Sequence, residues 1–278
     1  ATAWVADRAR DVRPGELGPA LDALAAAPVP AWDRAHHYSG PRERTVLYLL
    51  VLDTINFSFW GGPVGYVEVA AALRGIFEAG DELAQLERLA TIDADHLGRL
   101  LGPLPLLPDR AEALRELGRR GVTGLLRPTA VETARTLADS LPSFRDVASY
   151  EGREVPLLKR AQILPADLHG AGVADVGDLE DLTCFADYKL PQVLRHLGTI
   201  VYSERLAERI DGRRELAAGE AAEVEIRAAT VQAVERLRDA LQAGGRPLRA
   251  FEIDWMLWHL AQGQHPTHPY HRVRSVFY

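Results

Sequence analysis

The run FEIDWMLWHLAQ, residues 251 to 262, sets one central carboxylate among tryptophans, a methionine, a phenylalanine and aliphatic residues. At about 100° per residue, a helical wheel puts Glu252 and His259 on one side and Asp254 across from them, among Phe251, Leu257, Trp258 and Ala261. An ionised carboxylate withdrawn from water costs several kcal/mol, roughly, unless it is paired or hydrogen-bonded. Asp254 is therefore either satisfied structurally or used chemically. The structural reading places it in the first turn of a helix that follows Pro247, held by free backbone N–H groups. The chemical reading makes it an anion in a low dielectric, able to stabilise a cation that develops during bond cleavage. The two are compatible, because a helix start also keeps a carboxylate ionised.

A second constellation is CFADYKLPQVLRHLG, where Asp187 follows Phe185 just ahead of a helix carrying Pro191 in its first turn. Asp187 can be a loop residue that accepts backbone hydrogen bonds. It can equally form a ring-recognition site, with an aromatic face to stack a heterocycle and a carboxylate to accept from its amino or ring N–H groups. In DTINFSFWGG, Phe57, Phe59 and Trp60 read as core residues over a turn, with a pocket wall as the functional alternative. Glu223, Glu225 and Arg227 of EVEIR read as a solvated ion-pair face.

Other chemistries find no support. There is no glycine-rich phosphate loop after a strand, no His-Glu-x-x-His and no nucleophile-elbow serine. The pair His36 and His37 lacks a partner at ligand spacing, and HPTHPYHR, with His265, His268 and His271, reads as a proline-broken surface tail. No metal and no cofactor are expected.

The elements that must position these residues are helical. RTVLYLLVLDTINF follows Pro41, GYVEVAAALRGIFEAG ends on glycine, TIDADHLGRLLG opens with a capping threonine, and DRAEALRELGRRG runs to Gly121. TAVETARTLADS, DVGDLEDL, LPQVLRHLG, SERLAERIDG, AAEVEIRAATVQAVERLRDALQAGG and the segment around Asp254 bring the total to about ten helices. Strand signals are confined to REVPLL near residue 153 and a weak TIVY at 199. The stretch from Leu141 to Gly172 is too polar and irregular for core helix, and such segments tend to carry function. With no repeat and no linker, the expectation is an all-α fold forming a single globular domain over residues 1–278.

Composition narrows the partners. A net charge of -7, from 32 basic and 39 acidic residues, argues against a long footprint on polymeric nucleic acid, where basic excess supplies affinity. The single cysteine, Cys184, excludes an intramolecular disulfide and points to a reducing, cytoplasmic setting. The longest apolar stretch, TVLYLLVL, is too short to span a membrane, and the charged first residues do not form a signal sequence. A monomer that takes a small-molecule substrate, without a membrane partner, is the expectation.

Seven runs together, DTINFSFW, SFRDVASYEG, LLKRAQILPAD, FADYKLPQVLRHLG, EVEIRAATV, IDWMLWHLA and HRVRSVFY, resemble the queuosine-salvage family of queuosine 5'-phosphate N-glycosylases, in order from about residue 30 onward. The resemblance implies hydrolysis of the N-glycosidic bond of queuosine 5'-phosphate, releasing queuine and ribose 5-phosphate. It also implies a scaffold similar to the helix-hairpin-helix DNA glycosylases and chemistry by an aspartate without metal. Matched by position, Asp254 is the implied catalytic carboxylate, Trp255 and His259 line the pocket, and Phe185 and Asp187 bind the base. The family's pocket histidine, by spacing from Trp32, is His36, with His37 competing. Trp255 stands where tyrosine is commoner in the family, and His259 where an aspartate can stand, so contacts to queuine's cyclopentenediol are expected to differ. The 5'-phosphate needs local positive charge, from Lys159 and Arg160 or from Arg272 and Arg274. Two rival readings are a DNA-repair base glycosylase, against which the acidic balance counts, and a non-catalytic helical module that binds a nucleotide, against which Asp254 counts.

Overall fold

The computed structural model describes residues 1–263 and 266–278. Among them are thirteen α-helices and two small antiparallel ribbons, so the fold is mostly helical rather than purely α. Val12–Pro14 pairs with Ile200–Tyr202, Val12 lying opposite Tyr202. Val147–Tyr150 folds back on Arg153–Pro156 through a two-residue turn, Glu151 (φ 47°) and Gly152 (φ 78°). Positive φ at both turn positions matches the twist of the flanking strands, and glycine meets it without steric cost. Both strand signals in the sequence are thus real strands.

Two compact units are formed, each from three separate chain segments. The first comprises Ala1–Pro30, Val147–Lys159 and Glu180–Arg274. Its centre is the 23-residue helix Ala221–Ala243, against which pack the helices Thr2–Ala6, Gly18–Ala26, Lys189–His196 and Ala250–Gly263 and three of the four strands. A helix surrounded in this way has no solvent face from Glu223 to Val231, and Val224, Ile226, Ala228, Val231 and Val234 are all buried. Val224 and Ala228 join Val5, Tyr150, Val155 and Leu157 in one apolar cluster.

The EVEIR residues of that helix are not a solvated face. Glu223, Glu225 and Arg227 are 2, 1 and 2% exposed. The carboxylate of Glu225 accepts from the backbone N–H groups of Arg10 (3.0 Å) and Asp11 (2.7 Å) and from the Tyr150 hydroxyl (2.8 Å). Donors from remote segments replace the water that this spacing ordinarily faces.

The second unit comprises Ala31–Asp146, Arg160–Leu179 and Ser275–Tyr278. Its helix Arg42–Thr54 is buried from Tyr48 to Thr54 and packs on Tyr66–Ala79 and Leu107–Arg120. Thr129 caps Ala130–Ser140, whereas the helix Ala94–Leu101 is capped by Asp93, which accepts from His96 N–H at 2.7 Å, not by Thr91. DVGDLEDL contributes only a short 3-10 turn, Leu179–Asp181.

The largest departure is in the stretch expected to be irregular, where Lys159–Gly170 forms a helix, Pro165 included, buried for most of its length. Its polarity misleads because the polar groups are internal cross-links. Arg160 donates to the carbonyls of Asp53 (2.9 Å), Thr54 (2.5 Å) and Ser143. The buried ring of Phe57 has the guanidinium groups of Arg110 and Arg160 4.3 and 4.9 Å from its centroid, and Trp60 is buried as well.

Candidate active site

The helix Ala250–Gly263 carries Asp254 one turn in from its start. The work at the helix start falls to Glu252, whose carboxylate accepts from Arg249 N–H at 2.8 Å and pairs with the Arg249 guanidinium at 2.9 Å. Asp254 is therefore not held by its own helix terminus. It is 4% exposed, and Phe251, Leu257 and Ala261, on the same arc of the helix, are buried as well. Its Oδ2 accepts a 2.6 Å hydrogen bond from the backbone N–H of Phe185, 69 positions earlier in the chain.

Burial pushes the Asp254 carboxyl well above its ordinary value of 3.8, and the neighbouring Asp187 carboxylate raises it further. The Phe185 N–H and the positive charge of Lys159 act in the opposite direction, towards the anion. The arrangement is a carboxylate in low dielectric with one short donor and an ammonium within electrostatic reach. Such a group attracts a developing positive charge far more strongly than it would in water.

The segment opposite Asp254 is fixed at three points. Phe185 N–H is bound to Asp254, the Ala186 carbonyl accepts from Nε of Arg227 at 2.9 Å, and Oδ1 of Asp187 accepts from Lys189 N–H (2.7 Å) and Leu190 N–H (3.0 Å). Asp187 thus does the structural task its position ahead of the helix Lys189–His196 suggested, and does it with one oxygen. Phe185 is buried and Asp187 half-buried. Arg227 is a contributor that sequence reasoning missed. Its signal was present in EVEIR, but i,i+4 spacing alone does not separate a buried pair from a solvated one.

Of the other expected residues, Trp255 is half-buried and meets Phe251 edge-on at 5.0 Å. His259 is on the exposed side of the same helix, its ring 5.3 Å from that of Trp258. His36 belongs to the second unit, where it is half-buried and bonded through Nδ1 to Asp33 at 2.6 Å. Its neighbour His37 is buried, 4.6 Å from the Trp32 ring, with Nδ1 3.2 Å from the Tyr48 hydroxyl and Nε2 3.4 Å from that of Tyr66. Burial lowers His37 to about 4, so it is neutral at pH 7.

The candidate phosphate groups separate as well. Arg160 is committed to backbone carbonyls, and Arg274 is exposed and paired with Glu215 at 3.3 Å. Arg272 is half-buried, and Lys159 is buried within the electrostatic reach of Asp254. The C-terminal segment is not a surface tail: His271, Val273, Ser275 and Tyr278 are buried, and burial beside Arg227 lowers His271 to about 3. His268 lies 3.5 Å from Asp211, while His265 falls outside the described residues. Among the described residues no group of three or more His, Cys, Asp or Glu side chains could hold a metal ion. No helix among them is long and apolar enough to cross a membrane.

A cavity of about 350 Å³ in the first unit is lined by Asp11, Arg205, Arg209, Arg214 and Glu220, with none of the candidate residues. Two of its arginines are matched to carboxylates, Arg205 to Asp11 and Arg209 to Glu220, each at 2.6 Å. A hollow alone does not make a reaction site, and the unusual chemistry is at Asp254.

Residues 36–278 match the model of a family described as queuosine salvage protein. A protein of Sphaerobacter thermophilus named queuosine 5'-phosphate N-glycosylase/hydrolase is 42% identical, over 90% of this chain and 86% of its own length. Proteins of the same name from Dictyostelium discoideum and Bos taurus are 36% and 30% identical, over 85% and 99% of this chain and 79% and 96% of theirs.

Proposed function

The chain belongs to the queuosine salvage protein family, and we propose that it hydrolyses the N-glycosidic bond of queuosine 5'-phosphate, releasing queuine and ribose 5-phosphate, with Asp254 as the catalytic carboxylate. The carrying observation is that Asp254 is buried among apolar side chains yet held by a short donor from Phe185. A binding module has little reason to retain a carboxylate at that cost.

In the proposed reaction the bond between the anomeric carbon and the base nitrogen breaks, and the electron pair leaves with the base. The positive charge left on the sugar is shared between the anomeric carbon and the ring oxygen. Asp254 stabilises that cation more than the neutral ground state, which is the condition for lowering the barrier. Water adds its oxygen to the anomeric carbon, and its protons end on the new hydroxyl and the departing base. A 7-deazapurine has carbon at a position where other purines accept a proton, so the leaving base must be accommodated elsewhere. Phe185 is assigned to stack on it and Asp187 to accept from its donor edge, through the carboxylate oxygen not used on the backbone.

Trp255 and His259 are assigned to the rim of the pocket, where the cyclopentenediol of queuine would lie; for His36, with His37 competing, the support for a role in substrate binding is the family resemblance alone. Lys159 is assigned to the 5'-phosphate, since Arg160 is engaged with carbonyls. The helical scaffold is read as resembling the helix-hairpin-helix DNA glycosylases, and the protein as a cytoplasmic monomer that takes a small molecule rather than polymeric nucleic acid. The test is chromatographic: the protein is incubated with queuosine 5'-phosphate in the presence of chelator, beside an Asp254→Asn variant. Release of queuine by the parent alone is expected. Release by neither, or by both alike, rejects the reading.

A further inference from the structure

Arg227 lies in the central helix Ala221–Ala243 and has no place in the chemistry described so far. Its burial is nearly complete, as is that of Glu223, whose Oε1 is 3.4 Å from Nη1 of Arg227. Its Nε donates to the Ala186 carbonyl at 2.9 Å. One residue before, Phe185 donates its N–H to Asp254, and one residue after, Asp187 presents its carboxylate. The guanidinium therefore grips the middle of a segment that both binds the reacting carboxylate and carries the residues assigned to the base.

We propose that Arg227, braced by Glu223, is a positioning residue for the glycosylase reaction: by fixing the Ala186 carbonyl it aims the Phe185 N–H at Asp254 and sets where Asp187 meets the base. The inference rests on the assignment of Asp254 under Proposed function. A guanidinium is suited to the task because its planar fork serves the carbonyl and the carboxylate together, which an ammonium on a flexible stem does not reproduce. Loss of the clamp frees the backbone at Phe185 and Ala186, and the 2.6 Å hydrogen bond lengthens or breaks.

The consequence is read at Asp254. The charged and titratable groups that act on it are Asp187, Cys184 and Lys159, and those beside Arg227 are Glu223 and His271. The Phe185 N–H favours the anion, so its loss raises the pH at which Asp254 ionises. The active form is the anion, and activity is present above that pH, so the acid limb of kcat/KM moves upwards. With Arg227→Lys a displacement of about one pH unit is expected, which is about a tenfold loss of kcat/KM below the limb and a smaller one on the plateau. The Phe185 amide proton, strongly deshielded by a short bond to a carboxylate, should move upfield in the same variant.

Should Arg227→Lys fail to fold, the pair Glu223→Gln with Arg227→Met, which leaves no lone buried charge, is measured in the same way. A folded variant with both the limb and the Phe185 amide unmoved overturns the proposal, whatever its kcat. If the parent releases no queuine, the assignment of the reaction fails, while the amide shift and the ionisation of Asp254 followed by carboxyl carbon resonance still decide the clamp.

Discussion

Asp254→Asn should make the protein more stable and nearly inactive at once. The aspartate sits 4% exposed with one hydrogen bond, from Phe185 N–H, and burial holds its carboxyl well above 3.8. Keeping the charge there costs several kcal/mol, roughly, against which a charge-assisted bond returns about 1.5–3 kcal/mol. Asparagine is nearly isosteric and keeps an acceptor for Phe185, at the cost of burying an NH₂ group. A net gain of about 1–2 kcal/mol at pH 7 follows, which for a chain of this size is a rise of about 3–6 °C in Tm. The sign of the pH dependence is fixed by linkage. A carboxyl whose folded value is raised binds more protons folded than unfolded, so the parent loses stability as pH rises from 3.8 through the folded value. The variant's advantage is therefore near zero at pH 3.5 and grows towards neutrality. Turnover moves the other way: a full charge about 4 Å from the anomeric carbon at an effective dielectric near 20 is worth about 4 kcal/mol, or roughly a thousandfold in rate. Calorimetry across pH 4–8 and chromatographic assay of queuine release measure the two effects. A variant that melts lower than the parent at pH 7, has a stability difference independent of pH, or retains turnover within tenfold would refute the argument.

Three further outcomes are expected. Asp187→Asn keeps the Oδ1 that serves Lys189 and Leu190 N–H but replaces the second oxygen with a donor; KM should rise at least tenfold, in line with about 1.5–3 kcal/mol for a hydrogen bond to a charged group, and unchanged KM and kcat would remove Asp187 from base binding. Lys159→Met should weaken queuosine 5'-phosphate far more than free queuosine, while Arg274→Ala, which breaks only an exposed pair with Glu215, should leave both within about twofold; equal weakening of the two substrates by Lys159→Met rejects the phosphate assignment. Arg160→Met strips donors from the buried carbonyls of Asp53, Thr54 and Ser143. A destabilisation of about 3 kcal/mol or more in denaturant is expected, and a loss under 1 kcal/mol would mean those carbonyls find other partners.

What sequence alone determined lies within the reach of one helix turn. The arc that buries Asp254 and exposes His259 follows from the 3.6-residue period, and it appears in the structure as the wheel draws it. Thr129 and Ser203 cap the helices they precede, and Gly80 and Gly121 end theirs, because those signals act over a few bonds. Family membership was legible for a different reason, since ordered runs such as FADYKLPQVL and IDWMLW carry chemistry in their identities. Tertiary structure decided which charges are buried and who answers them. EVEIR looks solvated until Arg10, Asp11 and Tyr150 arrive at Glu225, and LLKRAQILPAD looks irregular until Arg160 reaches three carbonyls. Asp254 itself finds its donor 69 residues away rather than at its own helix start. A charged side chain is tolerated inside only where remote backbone supplies its partners, and no local pattern encodes which remote segment will do so.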